Sequence, residues 1–253
     1  MNSKLSVFDA YSRYYDLLYQ DKDYSAEVSY IDSVLQRYGT TGTEILELGS
    51  GTGKHGQMLA QRGYRVHGIE RSAEMVAQAV QCEGFTSQVG DICKTQIGRK
   101  FDVVLSLFHV VSYQIENQAI SDLFARSAEH LKDDGLFMFD TWYSPAVYDQ
   151  KPVVRIKHIK KNEIEVTRIA EPQIRCNENR VDVTYTIFVR NTLANSVETL
   201  TEVHPMRHFS LPEIDMLAKA HGFERLIAQE FVTEALPSEK TWGVCFILRK
   251  NKA

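Results

Sequence analysis

Short apolar runs alternate along the first part of the chain with segments whose apolar residues recur at helical spacing. A short apolar run is typical of a buried strand, and a spacing of three and four residues predicts a helix with one buried face. Their alternation predicts an α/β fold with a doubly wound, largely parallel sheet. The predicted strands are 45–48, 64–69, 86–89, 101–108 and 136–139, and the predicted helices are 24–38, 54–62, 72–82 and 117–130.

The pattern changes at Pro152, after which apolar and polar residues alternate singly in several segments as far as Ser210. A period of two predicts strands, so we expect an antiparallel sheet of about four strands inserted after the fifth strand. A helix over 211–221 and strands over 223–232 and 242–248 follow. The expected parts are an N-terminal helical cap (1–40), a ligand-binding core (41–150), the inserted antiparallel β-subdomain (151–210) and a closing helix and hairpin (211–253).

Three glycines, Gly49, Gly51 and Gly53, follow the first predicted strand directly before a predicted helix. Glycine can take a positive φ and lets backbone N–H groups approach a ligand, and the helix begins at the positive end of its dipole. The stretch therefore predicts a loop that holds a polar ligand. The alternative is a tight turn that binds nothing.

Acidic residues near the ends of the predicted strands indicate the kind of ligand. Glu70 lies about 20 residues past the glycines, where a doubly wound fold places a ribose-binding carboxylate, although a solvated acid is the alternative. The glycine spacing differs from the G-x-G-x-x-G of dinucleotide sites. Glu47 suits a cationic group, and Asp91 can accept a hydrogen bond from an adenine amine. The pocket therefore favours a positively charged nucleoside over a pyrophosphate.

The order of these motifs, E-L-G-S-G-T-G, then G-I-E, then G-D-I, resembles the class I S-adenosylmethionine-dependent methyltransferases. The resemblance runs from about Ile45 to Thr141. It implies S-adenosylmethionine as cofactor and a seven-stranded Rossmann-like sheet, in which the seventh strand lies antiparallel between the fifth and sixth. The cofactor-binding residues that it implies are Glu47, Gly49, Ser50, Gly51, Gly53, Glu70, Arg71, Asp91, Ile92 and Leu107.

Three further segments, Y-D-L-L-Y, L-F-H-V-V-S-Y-Q and F-D-T-W-Y-S-P-A-V, resemble nucleotide-sugar methyltransferases, especially N,N-dimethyltransferases of TDP-linked aminosugars. The resemblance implies methyl transfer to a sugar amino group. The candidate catalytic residues are Tyr14, His109 and Tyr113, and the candidate acceptor-binding residues are Tyr14, His109 and Trp142. For each of them, packing in the core is the alternative role.

Composition limits the possible partners and the compartment. The chain has 253 residues and a formal net charge of -4, which disfavours a nucleic-acid partner because phosphate binding relies on a basic surface. Its four cysteines form no C-x-x-C pair, and no metal site is expected. We see no apolar signal or membrane segment, which predicts a cytoplasmic protein without membrane contact. The resemblance adds a homodimer as an expectation.

Three other functions remain open on the sequence alone. One is N- or O-methylation of another small metabolite, and a second is non-catalytic binding of S-adenosylmethionine. The third is an NAD-linked oxidoreductase, which the glycine spacing opposes.

Overall fold

A mixed sheet runs through the computed structural model, which describes residues 12–38 and 42–252 and, at residues 12 and 13, the backbone alone. The strands are β1 (Glu44–Leu48), β2 (Arg65–Glu70), β3 (Phe85–Val89), β4 (Phe101–Ser106), β5 (Leu131–Tyr143), β6 (Arg155–Lys161), β7 (Ile164–Arg175), β8 (Arg180–Asn191), β9 (Ser196–Phe209), β10 (Phe223–Glu230) and β11 (Gly243–Lys250). The α-helices are α1 (Ser12–Leu18), α2 (Tyr24–Arg37), α3 (Lys54–Ala60), α4 (Ala73–Gln78), α5 (Asn117–His130), α6 (Ser144–Gln150) and α7 (Leu211–Ala220).

The central sheet has the strand order β3-β2-β1-β4-β5-β11-β10. The pairs from β3 to β5 are parallel, whereas β11 is antiparallel to both β5 and β10. The last strand in sequence therefore lies between the fifth and sixth strands of the central sheet. This order confirms the predicted Rossmann-like fold with seven strands in its core.

Buried side chains cover both faces of this sheet. Successive residues of a strand point to opposite faces, so Leu46 packs in the cluster that contains Phe124 of α5, whereas Ile45 packs in the cluster that contains Ile31 of α2 and Leu59 of α3. A strand that is buried on both faces is mostly apolar. This burial explains Ile45, Leu46 and Leu48 of β1, whereas Glu47 is a buried acid in the same strand.

Strands β6 to β9 form the inserted antiparallel sheet in the order β9-β8-β7-β6. It continues from the central sheet, because Trp142 and Tyr143 at the end of β5 pair in parallel with His208 and Phe209 of β9. One face of the insertion packs against α1, where Leu18 is fully buried. The insertion thus faces the carboxyl end of the central sheet. The proposed domain boundaries themselves stay a prediction.

Several element bounds differ from the expected ones. The predicted helix over 72–82 is only Ala73–Gln78, because the chain turns into an extended conformation at Ala79 and forms a bridge between Cys82 and Phe85. Strand β5 (Leu131–Tyr143) is much longer than the predicted 136–139. It also includes residues 131–135 before the predicted strand and residues 140–143 after it, beginning with Asp140. The first residues of the predicted N-terminal cap lie outside the described residues. None of the helices among the described residues is long and apolar enough to cross a membrane.

Candidate functional site

A cavity of about 780 Å³ opens at the carboxyl ends of the central strands. The glycine loop and the ends of β2 and β4 form one part of its wall, and the two N-terminal helices form another. The inserted sheet contributes Tyr185 and His204 to the opposite side. The cavity therefore lies between the central sheet, the N-terminal helices and the inserted sheet, at the edge where open α/β sheets bind ligands.

Most residues predicted for the site line this one cavity. The predicted cofactor residues among them are Glu47, Gly49, Ser50, Gly51, Glu70, Arg71, Asp91, Ile92 and Leu107. The cavity is also lined by His109 and Tyr113, predicted as catalytic residues, and by Trp142, which with His109 is predicted to bind the acceptor. Gly53 and Tyr14 do not line it.

The glycine loop follows β1 with a positive φ at each of its three glycines. A Cβ at Gly49 would lie 2.6 Å from the side chain of Val110, so this glycine allows the turn after β4 to approach. A Cβ at Gly51 would meet only Met75, at 3.9 Å, and would otherwise occupy open space. At Gly53 it would lie 2.5 Å from the ring of Phe85. Gly51 thus presents bare backbone to the cavity, whereas Gly53 serves packing behind the loop.

The carboxylate of Glu70 is fixed by two backbone N–H groups. Gly51 donates to its Oε2 at 3.0 Å and Ser72 donates to its Oε1 at 2.8 Å. Each carboxylate oxygen can accept a further hydrogen bond. Glu70 therefore ties the glycine loop to the end of β2 and keeps acceptor capacity at the cavity wall.

Glu47 is a buried acid with an unusual environment. Its Oε2 has no hydrogen-bond partner among the described residues. Burial, followed by the nearby charge of Glu70, raises its pKa from 4.5 to about 8, although Lys22 opposes the shift. At neutral pH the side chain is mostly protonated. A cation beside it would restore the charged form.

Asp91 follows β3 and is held in a local turn. Cys93 donates its backbone N–H to Oδ1 of Asp91 at 2.9 Å, and the backbone N–H of Asp91 donates to the hydroxyl of Thr95 at 2.9 Å. The other carboxylate oxygen lies 3.6 Å from Nζ of Lys94. With the apolar side chain of Ile92 beside it, the segment has an acceptor next to an apolar surface, which suits an adenine ring.

His109 lies opposite the glycine loop and is paired with a buried acid. Its Nδ1 is 2.6 Å from Oδ2 of Asp140, within ion-pair distance although the angle does not meet hydrogen-bond geometry. Its backbone N–H donates to the same oxygen at 3.1 Å. The ring of His109 lies between Phe108 and Trp142, and both Phe108 and His109 have a φ of 62°. A left-handed conformation at two consecutive residues with side chains costs energy that a fixed site can sustain.

Tyr113 lies in the same turn and contacts the inserted sheet. Its hydroxyl is 3.0 Å from Nδ1 of His204, whose Nε2 is 3.1 Å from Oε2 of Glu202. His204 and Glu202 are both buried. Burial raises the pKa of the Tyr113 hydroxyl well above its usual value, so the group is a neutral hydroxyl at physiological pH.

Residues 45–135, which contain the glycine loop and the acids after it, match the family described as "Methyltransferase domain". These residues form a methyltransferase domain. The match confirms the methyltransferase that the sequence predicts.

Similar proteins cover more of the chain than this methyltransferase domain. A putative methyltransferase of Geobacillus sp. (strain WCH70) is 27% identical over 96% of this chain and 100% of its own length. The dTDP-3-amino-3,4,6-trideoxy-alpha-D-glucopyranose N,N-dimethyltransferase of Streptomyces venezuelae is 26% identical over 82% of this chain and 87% of its own length. The resemblance to aminosugar methyltransferases that the sequence predicts is thereby confirmed.

Solved structures share the fold over nearly the whole chain. The sugar N-methyltransferase KedS8 from Streptoalloteichus sp ATCC 53650 superimposes with a TM-score of 0.81 and 20% identity, covering 100% of this chain and 98% of that one. The methyltransferase domain, the N-terminal helices and the inserted sheet therefore have counterparts in one known architecture.

The N-terminal side of the methyltransferase domain needs one correction. Tyr14 does not line the cavity, and its hydroxyl donates a hydrogen bond to Glu198 of β9 at 3.2 Å. Tyr15 and Tyr19 line the cavity instead and pack against Phe108. A short helix directs neighbouring residues to different sides, and the sequence pattern alone did not identify which tyrosine faces inward.

Sequence reasoning also missed the contribution of the insertion to the site. Glu202 and His204 are two residues apart on β9, so they share the face of the inserted sheet that looks into the molecule. Glu202 and His204 at alternate positions, between Leu200 and Met206 on the same face, were the available signal. Among the described residues, no group of three or more histidine, cysteine, aspartate or glutamate side chains could hold a metal ion.

Proposed function

We propose that this protein transfers a methyl group from S-adenosylmethionine to the amino group of a nucleotide-linked sugar. One observation carries the proposal: a single cavity joins the glycine loop to His109 and to Tyr113 with its partner His204. Methyl transfer requires donor and acceptor in one enclosed space. The aminosugar methyltransferases among the similar proteins support the choice of acceptor.

The loop side of the cavity fits S-adenosylmethionine in the chemistry of its donors and acceptors. Oε2 of Glu47 and Oγ of Ser50 are buried polar atoms without hydrogen-bond partners among the described residues, and such atoms are rare unless a ligand satisfies them. Glu47 and Ser50 would hold the cationic aminoacyl part, Glu70 the ribose hydroxyls, and Asp91 with Ile92 the adenine.

When bound, S-adenosylmethionine supplies a methyl group that its sulfonium has already activated. The protein has to align the acceptor nitrogen, exclude water and take up a proton from the nitrogen. Lys22 and the tyrosines of the N-terminal segment, Tyr15, Tyr19 and Tyr24, line the cavity and limit the space left for water. His109 and Tyr113 are the two groups with buried acidic or basic partners that can hold a proton near the acceptor.

An amine suits this arrangement better than a hydroxyl. A neutral amine is a nucleophile once its ammonium form has lost a proton, whereas a sugar hydroxyl usually needs a strong base or a metal ion. Buried acids pair with two histidines at the cavity: Oδ2 of Asp140 lies 2.6 Å from Nδ1 of His109, and Oε2 of Glu202 lies 3.1 Å from Nε2 of His204. A proton that leaves the substrate ammonium can therefore be held next to a carboxylate.

The test uses the full chain, S-adenosylmethionine and pairs of TDP-linked sugars that differ only in an amino or a hydroxyl group. We expect mass spectrometry to detect methylation of the aminosugars and not of their hydroxyl counterparts. Methylation of the hydroxyl sugars alone, or cofactor binding without methylation of any sugar, would contradict the proposal.

A further inference from the structure

A chain of three side chains leads from the cavity into the inserted sheet. It begins at the hydroxyl of Tyr113, continues through the imidazole of His204 and ends at the carboxylate of Glu202, with distances of 3.0 Å and 3.1 Å between the polar atoms. The side chain of His204 is 1% exposed and that of Glu202 is 2% exposed. Tyr113 comes from the turn after β4, whereas the other two come from β9.

The carboxylate of Glu202 fixes the direction of the hydrogen bonds between these three side chains. An ionised carboxylate can only accept, so Nε2 of His204 carries the proton that it donates to Glu202. In a neutral imidazole Nδ1 is then unprotonated, and it accepts the hydrogen bond of the Tyr113 hydroxyl. A hydroxyl oxygen can donate one hydrogen bond and accept others at the same time, so donation to His204 is compatible with acceptance from a substrate ammonium.

We propose that His204 and Glu202 are positioning residues that make the Tyr113 hydroxyl a proton acceptor for the substrate amine, so that the inserted sheet supplies part of the catalytic base. The inference rests on the proposed function, and it deepens that function by assigning a proton path.

The proton path balances without any further reactant. The substrate ammonium gives one proton to the oxygen of Tyr113, while the hydroxyl proton of Tyr113 moves to Nδ1 of His204. The resulting imidazolium is stabilised by the carboxylate of Glu202. The amine nitrogen then forms a bond to the methyl carbon as the bond from carbon to sulfur breaks, and the sulfur keeps the electron pair. After the product leaves, the proton returns through Tyr113 to water in the cavity.

The surroundings of Tyr113 explain why it needs such partners. Burial raises its pKa, and the neighbouring Tyr185, Tyr19 and Glu202 raise it further, while Arg71 opposes them. Tyr113 therefore does not act as a free tyrosinate, and its oxygen can accept a proton only if its own proton moves on. Among the described residues, His204 lies within hydrogen-bond distance of the Tyr113 hydroxyl and can receive this proton.

The kinetic test compares Glu202→Gln and Tyr113→Phe with the wild type over a range of pH, with a TDP-linked aminosugar as acceptor. General base assistance contributes about 10²-fold or more, so near pH 7 we expect kcat to fall by about 10²-fold or more in Tyr113→Phe, which removes the base. In Glu202→Gln, which keeps Tyr113 and His204, we expect a loss of about 10-fold to 100-fold, and in both variants the KM for S-adenosylmethionine should stay the same. In Glu202→Gln the loss should shrink as pH rises, because the amine then loses its proton to the solvent. Unchanged kcat, or an equal loss at every pH, would overturn the assignment.

The control is His208→Gln, which removes another buried histidine from β9. His208 bonds with Ser144 and does not line the cavity. We expect lower stability but a wild-type pH profile for kcat. A pH profile like that of Glu202→Gln would show that any buried change in β9 has the same effect, and it would overturn the proposal.

A second measurement does not depend on the acceptor. In full-length protein with ¹⁵N-labelled histidine, the resonances of His204 are identified by their loss in His204→Gln. We expect a neutral imidazole protonated at Nε2 in the wild type and an altered tautomer balance in Glu202→Gln. Protonation at Nδ1 in the wild type would overturn the inference, whereas a correct tautomer with no methylated aminosugar would count against the proposed function alone.

Discussion

At the scale of single residues, Glu47 and Glu70 meet the same cavity in different states. Glu70 accepts two backbone N–H groups, whereas Oε2 of Glu47 is buried without a hydrogen-bond partner among the described residues. Lys22 and a backbone hydrogen bond from Gly56 favour the ionised form of Glu47, but burial outweighs them, so ionisation of this acid costs stability. By our proposal, a cationic ligand would compensate its charge in the bound state.

The first prediction concerns the stability of Glu47→Gln without ligand. The folded protein raises the pKa of Glu47 from 4.5 to about 8, so its favourable contribution is complete below pH 4.5 and is lost as pH rises towards 8. Glutamine lacks this dependence. We expect the free energy of unfolding of the variant, relative to the wild type, to increase between pH 5 and pH 8 in urea titrations. A constant difference would contradict the raised pKa, and Glu83→Gln at an exposed position is the control.

The second prediction concerns Glu70→Ala. The change removes the acceptor for the N–H groups of Gly51 and Ser72 and, by our assignment, for the ribose hydroxyls. Stranded polar groups cost about 1–3 kcal/mol, so the Kd for S-adenosylmethionine should rise by about 5-fold to 150-fold in calorimetry. The exposed Glu83→Ala should bind as the wild type does. Wild-type affinity in Glu70→Ala would refute the ribose assignment.

Residue identities in the site were largely predictable from sequence, but side-chain directions were not. Glu47, Glu70 and Asp91 stand at or near strand ends, and the ends of parallel strands meet at one edge of the sheet. Whether Tyr14 or Tyr15 faces the cavity depends on how α1 docks on the insertion, which is a tertiary contact.

At the scale of elements, α1 is fastened to the glycine loop. Asp16 of α1 accepts a hydrogen bond from Oγ1 of Thr52 at 3.1 Å and forms an ion pair with Nζ of Lys54 at 3.1 Å. The same helix brings Tyr15 to the cavity. The position of the loop and the closure of the cavity are thus coupled through one side chain.

The third prediction tests this fastening with Asp16→Asn. Half-exposed ion pairs contribute less than about 1 kcal/mol, so the dissociation rate of S-adenosylmethionine should rise by about 2-fold to 5-fold in stopped-flow experiments. Asp32→Asn is the matched control, because Asp32 pairs with Arg62 between α2 and the end of α3. If S-adenosylmethionine dissociated faster from both variants, the contacts of Asp16 would not specifically retain the cofactor.

Whether a segment forms a helix or a strand was predictable where the spacing of its apolar residues matches the face that it buries. The first and last residues of the elements were not predictable. The predicted strand over 101–108 corresponds to β4, and the predicted helix that starts at Ser72 corresponds to α4. Ser72 is the N-cap of α4, since its side chain accepts a hydrogen bond from the backbone of Met75. The extension of β5 to Tyr143 depends on its pairing with β11 and β9, which lie far away in sequence. Long-range pairing of this kind leaves no local signal.

At the scale of the whole molecule, the central sheet and the inserted sheet contribute different residues to the cavity wall. The central sheet presents the glycine loop and the acids, and the inserted sheet closes the opposite side with Tyr185 and His204. Their continuity through β5 and β9 fixes the insertion relative to the cavity. By our proposal, the methyl donor lies on the side of the central sheet and the acceptor on the side of the inserted sheet.

The fourth prediction follows from this division and uses hydrogen exchange. S-adenosylmethionine alone should slow exchange in the glycine loop and around Asp91, because local opening there would release the ligand. A TDP-linked aminosugar added afterwards should slow exchange in the turn over Val110–Tyr113 and at the end of β9. If the sugar slowed exchange only in β6 and β7, the assignment of the acceptor site to the turn after β4 and to β9 would be wrong.

The most direct test of the account is a calorimetric titration of the full chain with S-adenosylmethionine and, separately, with NAD. The account predicts binding of one S-adenosylmethionine per chain, weakened in Glu70→Ala, and no binding of NAD. Absence of S-adenosylmethionine binding at millimolar concentration, or preferential binding of NAD, would contradict it.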